Sequence, residues 1–386
     1  MIGILLDRAE WSIYKGPATR FYIDNKNMTY KNNDKRIIKI EPLLSPKELL
    51  EKLPASEVAT NTVAQARNKI HNIINGLDDR LLVVIGPCSI HDPKVALDYA
   101  RKIQAVRLHP EIYQNLEVVM RVYFEKPRTT VGWKGLINDP YLDESYQVND
   151  GLKIARQVLS NINNLGVPTA CEFLDIVSPQ YMVDLVSWGA IGARTVESQI
   201  HRELASGLPC AVGFKNATSG SVQNALDGMR CANTPHHFLS ITQDGRSAVV
   251  STQGNSDCHI ILRGGKAGTN YHAEMIEKIG EEIAKVGYRP HVMVDFSHAN
   301  SQKQFKQQLT VCDSISEQIT NGSELISGVM IESHLVEGRQ DLIAGQELVY
   351  GQSITDACIN WQDSEKALFQ LANAVATRRK NREKQI

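Results

Sequence analysis

What this sequence of 386 residues lacks narrows its function before any motif is read. No apolar window approaches the roughly 20 residues that a membrane-spanning helix needs. The formal net charge is -1, with 42 basic against 43 acidic side chains, so no global field draws the chain to nucleic acid or to a membrane. Any anion site has to come from a local cluster. The seven cysteines are odd in number and none is spaced as CxxC, which argues against a disulfide framework or a zinc knuckle and fits a reducing compartment. The amino-terminal apolar run covers only residues 2–6 and is closed by Asp7 and Arg8, too short for a secretory leader. The expected compartment is the cytoplasm.

Against those absences stands one stretch around which the chain is organised: Leu81-Leu82-Val83-Val84-Ile85-Gly86-Pro87-Cys88-Ser89-Ile90-His91-Asp92-Pro93. Five consecutive apolar residues stop at Gly86-Pro87 and hand over to a polar cluster headed by a thiol. Shortness, β-branching and the Gly-Pro stop favour a strand buried on both faces over a buried helical segment. Cys88 then sits where the strand emerges. Seven later runs repeat the design: 116–120 ending at Arg121, 167–170 leading to Glu172, 188–193 ending at Arg194, 211–214 ending at Lys215, 259–262 ending at Arg263, 292–296 leading to His298, and 326–331 ending at Glu332. Eight strands alternating with helical segments, each with its chemistry at the carboxyl end, read as an α/β fold of the (β/α)8 barrel type. A doubly wound open sheet is the competitor, and it does not call for a polar residue at the end of every strand.

The rest of the chain adds to that barrel, assigned to residues 79–386. Residues 1–27 show no sustained periodicity and are expected to be an extension outside the fold, with structure starting at Met28; the alternative is an arm that docks on a partner. Residues 28–78 form an amino-terminal arm and helices, suited to regulation or subunit contact. Within them Ile37-Ile38 and Ile40 predict a short exposed strand. Ser45, Pro46 and Glu48 announce a helix that Pro54 ends, and residues 58–74 form a second, closed by Asn75-Gly76. Between the fifth and sixth strands, segments 238–242 and 248–252 flank Asp244-Gly245 and predict a β-hairpin. The last helix carries Leu368, Leu371, Ala372 and Val375 at helical spacing and ends in Arg378-Arg379-Lys380, a charge that suits the helix dipole.

Two groups of residues carry chemistry. Cys88, His298, Glu332 and Asp356 could together hold one divalent ion. Singly each has a plainer role, since a lone buried cysteine is usually a small hydrophobe and Asp356 could cap the last helix. Three of them sit at the ends of the first, seventh and eighth strands, which become neighbours when a barrel closes. Mixed thiolate, imidazole and carboxylate donors suit Mn, Fe, Co or Zn better than Mg. The second group is basic: Arg121, Lys126, Arg128, Arg194, Lys215 and Arg263. A lone Lys or Arg is normally a solvated surface group, but several of these follow directly on apolar runs. Burying several cations in one cavity is unfavourable unless anions answer them, and phosphate and carboxylate match the arginine fork.

Beyond the strand stretch at 80–93, the blocks Lys126-Pro127-Arg128-Thr129-Thr130-Val131-Gly132-Trp133-Lys134-Gly135, Gly192-Ala193-Arg194-Thr195, Ile261-Leu262-Arg263-Gly264-Gly265-Lys266, Asp295-Phe296-Ser297-His298-Ala299-Asn300 and Ser353-Ile354-Thr355-Asp356-Ala357-Cys358 closely resemble the DAHP synthases, in particular the microbial, feedback-regulated class I type. The resemblance runs from about Met28 to the end. It implies condensation of phosphoenolpyruvate with erythrose 4-phosphate, the first step of the shikimate pathway to aromatic amino acids. It further implies one metal ion per subunit on Cys88, His298, Glu332 and Asp356. Phosphoenolpyruvate contacts are implied at Arg121, Lys126, Arg194, Lys215 and Arg263, sugar-phosphate contacts at Arg128 and Thr129, and a site carboxylate at Glu172. Lys126 is the candidate acid for the developing alkoxide, with an electrostatic role equally open.

The family's regulation implies an aromatic amino acid effector and a homo-oligomer, dimer or tetramer. The residues carried over for the effector are Asp34, Ile37, Phe238, Ser240 and Val250. Tyrosine-sensing relatives tend to carry glycine where Ser240 stands, and tryptophan-sensing relatives can also carry serine, so phenylalanine is the preferred effector. Two departures touch the loops: Ala217 replaces a glycine and would be strained at positive φ, and the loop 266–271 is one residue longer than usual and lacks its proline. Two rivals remain, an octulosonate phosphate synthase that takes arabinose 5-phosphate, and a catalytically dead scaffold. Lys126-Pro127-Arg128-Thr129 opposes the first, and the complete ligand set opposes the second.

Overall fold

The computed structural model describes residues 34–128, 132–343 and 345–384. The expectation for residues 1–27, the start at Met28 and the side chain of Thr129 lie outside the described residues. Two units are distinguished, Met1–Pro42 and Leu43–Ile386. The described part of the first is a turn, closed by the Ile37 N–H donating to the Asp34 carbonyl at 3.0 Å, followed by extended chain. The strand expected at Ile37–Ile40 is not formed. A strand exists only by pairing, no partner strand stands beside it among the described residues, and Ile38 and Ile40 are fully and largely exposed.

The second unit is a closed barrel. Its eight parallel strands are β1 (Leu81–Gly86), β2 (Leu116–Arg121), β3 (Thr169–Glu172), β4 (Trp188–Ile191), β5 (Ala211–Lys215), β8 (Cys258–Leu262), β9 (Val292–Asp295) and β10 (Ile326–Glu332). Strands β6 (His237–Ile241) and β7 (Ser247–Ser251) interrupt the series as the hairpin insertion. Around the barrel the order is β1-β10-β9-β8-β5-β4-β3-β2, with β1 pairing parallel to both β10 and β2 and so closing the sheet. Strands β1, β2, β5, β8, β9 and β10 are buried along their whole length, which is why they appear in sequence as unbroken apolar runs rather than alternating ones.

Two helices precede the barrel. Helix α1 (Pro46–Lys52) starts with a capping box, the Ser45 hydroxyl accepting from Glu48 N and Glu48 accepting from Ser45 N. Helix α2 (Glu57–Ile74) buries Ala59, Val63, Ala66, Ile70 and Ile73, a stripe at helical spacing. Ile70, Ile73 and Ile74 join Leu82, Trp188, Ala211, Ile261, Met293 and Met330 in one cluster inside the barrel, so α2 plugs its amino-terminal end. Each isoleucine buried this way contributes about 1.5–3 kcal/mol. The outer helices are α3 (Pro93–Arg107), α4 (Pro110–Asn115), α5 (Val148–Asn164), α6 (Pro179–Met182), α7 (Gln199–Gly207), α8 (Gln223–Ala232), α9 (Ala273–Lys285), α10 (Gln307–Thr320) and α11 (Trp361–Glu383). Asn360 caps α11 by accepting from Asp363 N at 2.8 Å, so Asp356 is free of the capping role that would have explained it structurally. Among the described residues no helix is long and apolar enough to cross a membrane.

At the same amino-terminal end of the barrel lies a buried imidazole pair. His259 accepts from the Trp188 indole N–H at 3.3 Å and stacks on His291 with ring centroids 6.2 Å apart. Burial holds both far below the ordinary histidine range, His259 at about 3 and His291 at about 4, with the His291 charge adding to the effect at His259 and the Arg289 charge at His291. Unfolded histidine titrates near 6.5, so between about pH 6.5 and 4 the unfolded chain binds protons that the folded chain refuses, and stability falls as pH falls. Each histidine steepens that loss by about 1.4 kcal/mol per pH unit. Thermal unfolding followed from pH 7 to 5 should therefore show a smaller drop in Tm for His291→Phe than for the wild type; equal slopes would show that the pair does not titrate this way.

Candidate active site

The carboxyl ends of the barrel strands open into a cavity of about 780 Å3. Its wall includes Glu172 at the end of β3, Arg194 after β4, Lys215 ending β5, Arg263 after β8, His298 after β9 and Glu332 ending β10, with Lys126, Arg128 and Asp356 completing it. These are the positions that the repeated run-then-polar pattern marks. Strand length sets each location, because one residue more or fewer would turn the polar group to the outer face. Close backbone packing sets the rest. A Cβ on Gly192 would meet Oε1 of Glu172 at 2.2 Å, so a larger residue there would have to displace that carboxylate.

Lys126 rides on the loop after β2. Lys126 N donates to the Lys134 carbonyl at 2.7 Å and Leu136 N to the Phe124 carbonyl at 2.8 Å, folding the loop back on itself. At their crossing Gly135 has φ 141°, and a Cβ there would lie 2.0 Å from the Phe124 carbonyl oxygen. Glu125 anchors the loop by accepting from Asn138 N at 3.1 Å, and burial pushes its carboxyl up to about 8. Arg128, by contrast, is exposed at the cavity rim, its Nε donating to the Trp133 carbonyl.

Three of the four candidate ligands converge. Ligand atoms of Cys88, Glu332 and Asp356 all lie within 4.8 Å of one another. Cys88 Sγ is 3.5 Å from Asp356 Oδ2 and accepts from Asp356 N at 3.3 Å. Burial pushes the thiol up to about 11, and the Glu332 and Asp356 charges add to it, against Lys126 and Arg121. A fully buried thiol facing two carboxylates is a donor set that could hold a divalent cation, whose charge would turn the same burial in favour of thiolate. His298 lines the same cavity but is not within that group; its Nδ1 faces Asp295 Oδ2 at 3.0 Å and the Ser297 hydroxyl at 2.7 Å. It adopts φ 61°, a strained backbone for a histidine that its surroundings hold in place.

Two buried ion pairs tie wall residues to partners beneath them. Arg121, with no exposed surface, donates from Nη2 to Glu332 Oε1 at 2.9 Å and from Nε to the Pro87 carbonyl, and stacks on the Tyr123 ring at 3.6 Å. It therefore sits beneath the cavity rather than on its surface. Lys215 Nζ pairs with Asp295 Oδ2 at 3.1 Å. Burial would raise the Asp295 carboxyl, yet Lys215 and His298 hold it well below the carboxylate range. Asp295 thus fixes Lys215 and His298 together, with the Ser297 hydroxyl and N–H donating to its other oxygen. Sequence reasoning missed it, although it opens a quoted motif; its position at the end of a buried apolar run was the available signal. Gln308, Lys303 and Arg339 also line the cavity and nothing in the sequence marks them.

The feared strain at Ala217 is absent: its φ is not positive and its side chain is buried, while Asn216 donates to the Gly264 carbonyl at 2.9 Å. In loop 266–271 the turn is closed by a Gly265–Gly268 bridge. Of the effector residues, Ser240 is buried and Phe238 and Val250 are half-buried on one face of the hairpin, directly paired in the case of Phe238 and Val250. Asp34 and Ile37 belong to the other unit.

Removing one partner of the Arg121–Glu332 pair leaves an uncompensated buried charge, at a cost of about 3–5 kcal/mol, whereas replacing both by apolar groups is close to neutral. Urea unfolding in metal-free buffer should show Glu332→Met strongly destabilised and Arg121→Met/Glu332→Met recovering most of the loss; a double variant no more stable than the single would contradict a two-member pair.

The signature of the DAHP synthetase I family matches residues 55–368. The chain is similar to phospho-2-dehydro-3-deoxyheptonate aldolase of Haemophilus influenzae, 64% identical over 350 residues that cover 90% of this chain and 96% of that protein. It is also similar to the Escherichia coli enzyme of that name described as Phe-sensitive, 60% identical over 352 residues, or 91% of this chain and all of that one. A solved structure of the phospho-2-dehydro-3-deoxyheptonate aldolase from Francisella tularensis SCHU S4 superposes with a TM-score of 0.86 at 50% identity, covering 89% of this chain and 99% of that one. The chain belongs to the DAHP synthetase I family, and its activity is that of a DAHP synthase of the shikimate pathway.

Proposed function

We propose that this cavity condenses phosphoenolpyruvate with D-erythrose 4-phosphate and water to give DAHP and phosphate, with one divalent ion per subunit held by Cys88, His298, Glu332 and Asp356. The observation that carries the reading is the juxtaposition of a buried thiol and two carboxylates with a wall of cations. The family is metal-dependent, and the donor set favours Mn, Fe, Co or Zn. When bound, the ion supplies Lewis-acid polarisation of the sugar aldehyde.

The protein's own residues do the rest. Arg194, Lys215 and Arg263 neutralise the phosphate and carboxylate of phosphoenolpyruvate, with Arg121 supporting them from beneath. Arg128 at the rim holds the phosphate of the sugar, a task that the family resemblance shares with Thr129. Holding two polyanions side by side is the main task of these cations, because proximity removes the entropy of bringing them together. The enol carbon then attacks the aldehyde carbon. Burial would lower the Lys126 ammonium, but the Cys88 and Glu332 charges raise it, so it remains a proton donor for the oxygen that becomes an alkoxide. Water adds to the other enol carbon, and the phosphohemiketal breaks its C–O bond to release phosphate. Glu172 contributes a carboxylate to the same wall.

Feedback by an aromatic amino acid, preferentially phenylalanine, completes the proposal. Support comes from the Phe-sensitive name of a relative 60% identical to this chain and from Ser240, whose hydroxymethyl group occupies space that a phenolic oxygen would need. Residues 28–78 and the hairpin, outside the catalytic barrel of 79–386, serve regulation and assembly as a homo-oligomer, and the enzyme works in the cytoplasm.

Cys88→Ser and His298→Ala should each lose bound metal and reduce phosphate release by more than about 100-fold, beyond the cost of losing an outer-shell partner, while the circular dichroism spectrum is retained. Chelated wild type should be inactive and recover with Mn; full turnover in excess chelator would sink the metal assignment.

Titration of phenylalanine, tyrosine and tryptophan against the wild type should give tightest inhibition by phenylalanine, and Ser240→Gly should gain tyrosine sensitivity within the roughly 5–150-fold range of allosteric couplings. Strongest inhibition of the wild type by tyrosine would overturn the effector assignment.

A further inference from the structure

Strand β10 runs into the candidate cation cluster, and its last residue loses a neighbouring strand just where it matters. On one side β10 stays paired to the end, Glu332 facing Gly86 of β1. On the other, β9 stops at Asp295, which faces Met330, so no β9 residue reaches Glu332. Gln308, in the first turn of α10, takes the vacant place. Its Oε1 accepts from Glu332 N at 2.9 Å and its Nε2 donates to the Glu332 carbonyl at 2.9 Å. One side-chain amide thereby supplies the acceptor for the Glu332 N–H and a donor to its carbonyl, which Ile359 N also reaches at 3.1 Å. Gln308 is 1% exposed, so these bonds are made away from water, where a lost partner costs about 1–3 kcal/mol.

The same device recurs beside Arg263, whose N–H donates to Asn216 Oδ1 at 2.8 Å while the Asn216 amide donates to the Gly264 carbonyl at 2.9 Å. Side-chain amides therefore extend the sheet where the strands splay at the mouth. At Glu332 the consequence is particular. Its carboxylate is pulled by Arg121 from below, and its ligand oxygen has to stay within 4.8 Å of Cys88 Sγ and the Asp356 carboxylate. Gln308 and Ile359 N hold the Glu332 backbone itself, and Ser333 N, donating to the Gly86 carbonyl at 2.9 Å, holds the strand against β1, so that pull acts chiefly on the side-chain torsions.

We infer that Gln308 is a positioning residue for the cation site: by clamping the Glu332 backbone it sets where the carboxylate stands relative to Cys88 and Asp356. The inference rests on the metal site proposed above. Outer-shell partners of metal ligands typically account for about 10–100-fold in affinity.

The test is calorimetric titration of metal-stripped full-length protein with Mn, alongside thermal unfolding of the metal-free forms. Gln308→Met keeps the length and loses both bonds; Gln308→Asn stays polar but is a methylene too short to reach, and serves if the methionine variant does not fold. Either should raise the Mn Kd about 10-fold or more with one site per chain retained, and activity should return at saturating Mn. A Kd within twofold of wild type, with or without a fall in metal-free Tm, would reduce Gln308 to a structural role and overturn the inference. Absence of Mn binding by the wild type would instead remove the metal site itself, and the inference with it.

Discussion

The cavity depends on two buried ion pairs, Arg121 with Glu332 and Lys215 with Asp295. Neither is there for stability, since a buried pair rarely repays its desolvation. What each does is keep a charged group in a place where water cannot reach it and at a fixed distance from its neighbours. Arg121 lies on a strand with no exposed surface, and it can be there only because Glu332 ends the strand two places around the barrel, across β1. The barrel closure, with β1 pairing both β10 and β2, thus brings the ends that carry Arg121 and Glu332 close enough to pair.

From that constraint the division of the cavity follows. Around Cys88 the surroundings are anionic, Glu332 and Asp356 with a thiol that burial holds protonated. On the wall formed by β4, β5 and β8 they are cationic, with Arg194, Lys215 and Arg263. Lys126 stands between, 3.9 Å from Asp356. A reaction joining two phosphorylated molecules and needing an activated carbonyl asks for this separation, because anion-binding and cation-binding groups placed together would neutralise each other. Asp295 links the halves, holding Lys215 and His298 through one oxygen.

Much of this was legible in sequence, for a physical reason. Strands buried on both faces leave unbroken apolar runs, and parallel barrel strands end where chemistry begins, so the residue after each run could be read as a site residue. Ser45 with Glu48, and Asp244-Gly245, declared their cap and turn equally directly. What was not legible depends on partners distant in the chain. Ile37–Ile40 has strand character but no partner strand among the described residues. Asp356 could have capped α11 until Asn360 was seen to do so. Gln308 is one polar residue in an amphipathic helix, and only the early end of β9 gives its amide a task. The positive φ of His298 is likewise imposed by tertiary surroundings rather than by local preference.

In the function proposed above, this charge-divided cavity selects phosphoenolpyruvate and a four-carbon sugar phosphate, with Lys126, Arg128 and Thr129 setting the sugar. The most direct measurement is phosphate release from phosphoenolpyruvate by the full-length, Mn-loaded protein, with D-erythrose 4-phosphate in one series and D-arabinose 5-phosphate in the other. The account predicts rapid release that depends on the four-carbon sugar and little with the five-carbon one. Equal or faster release with arabinose 5-phosphate, or release that needs no sugar at all, would contradict it.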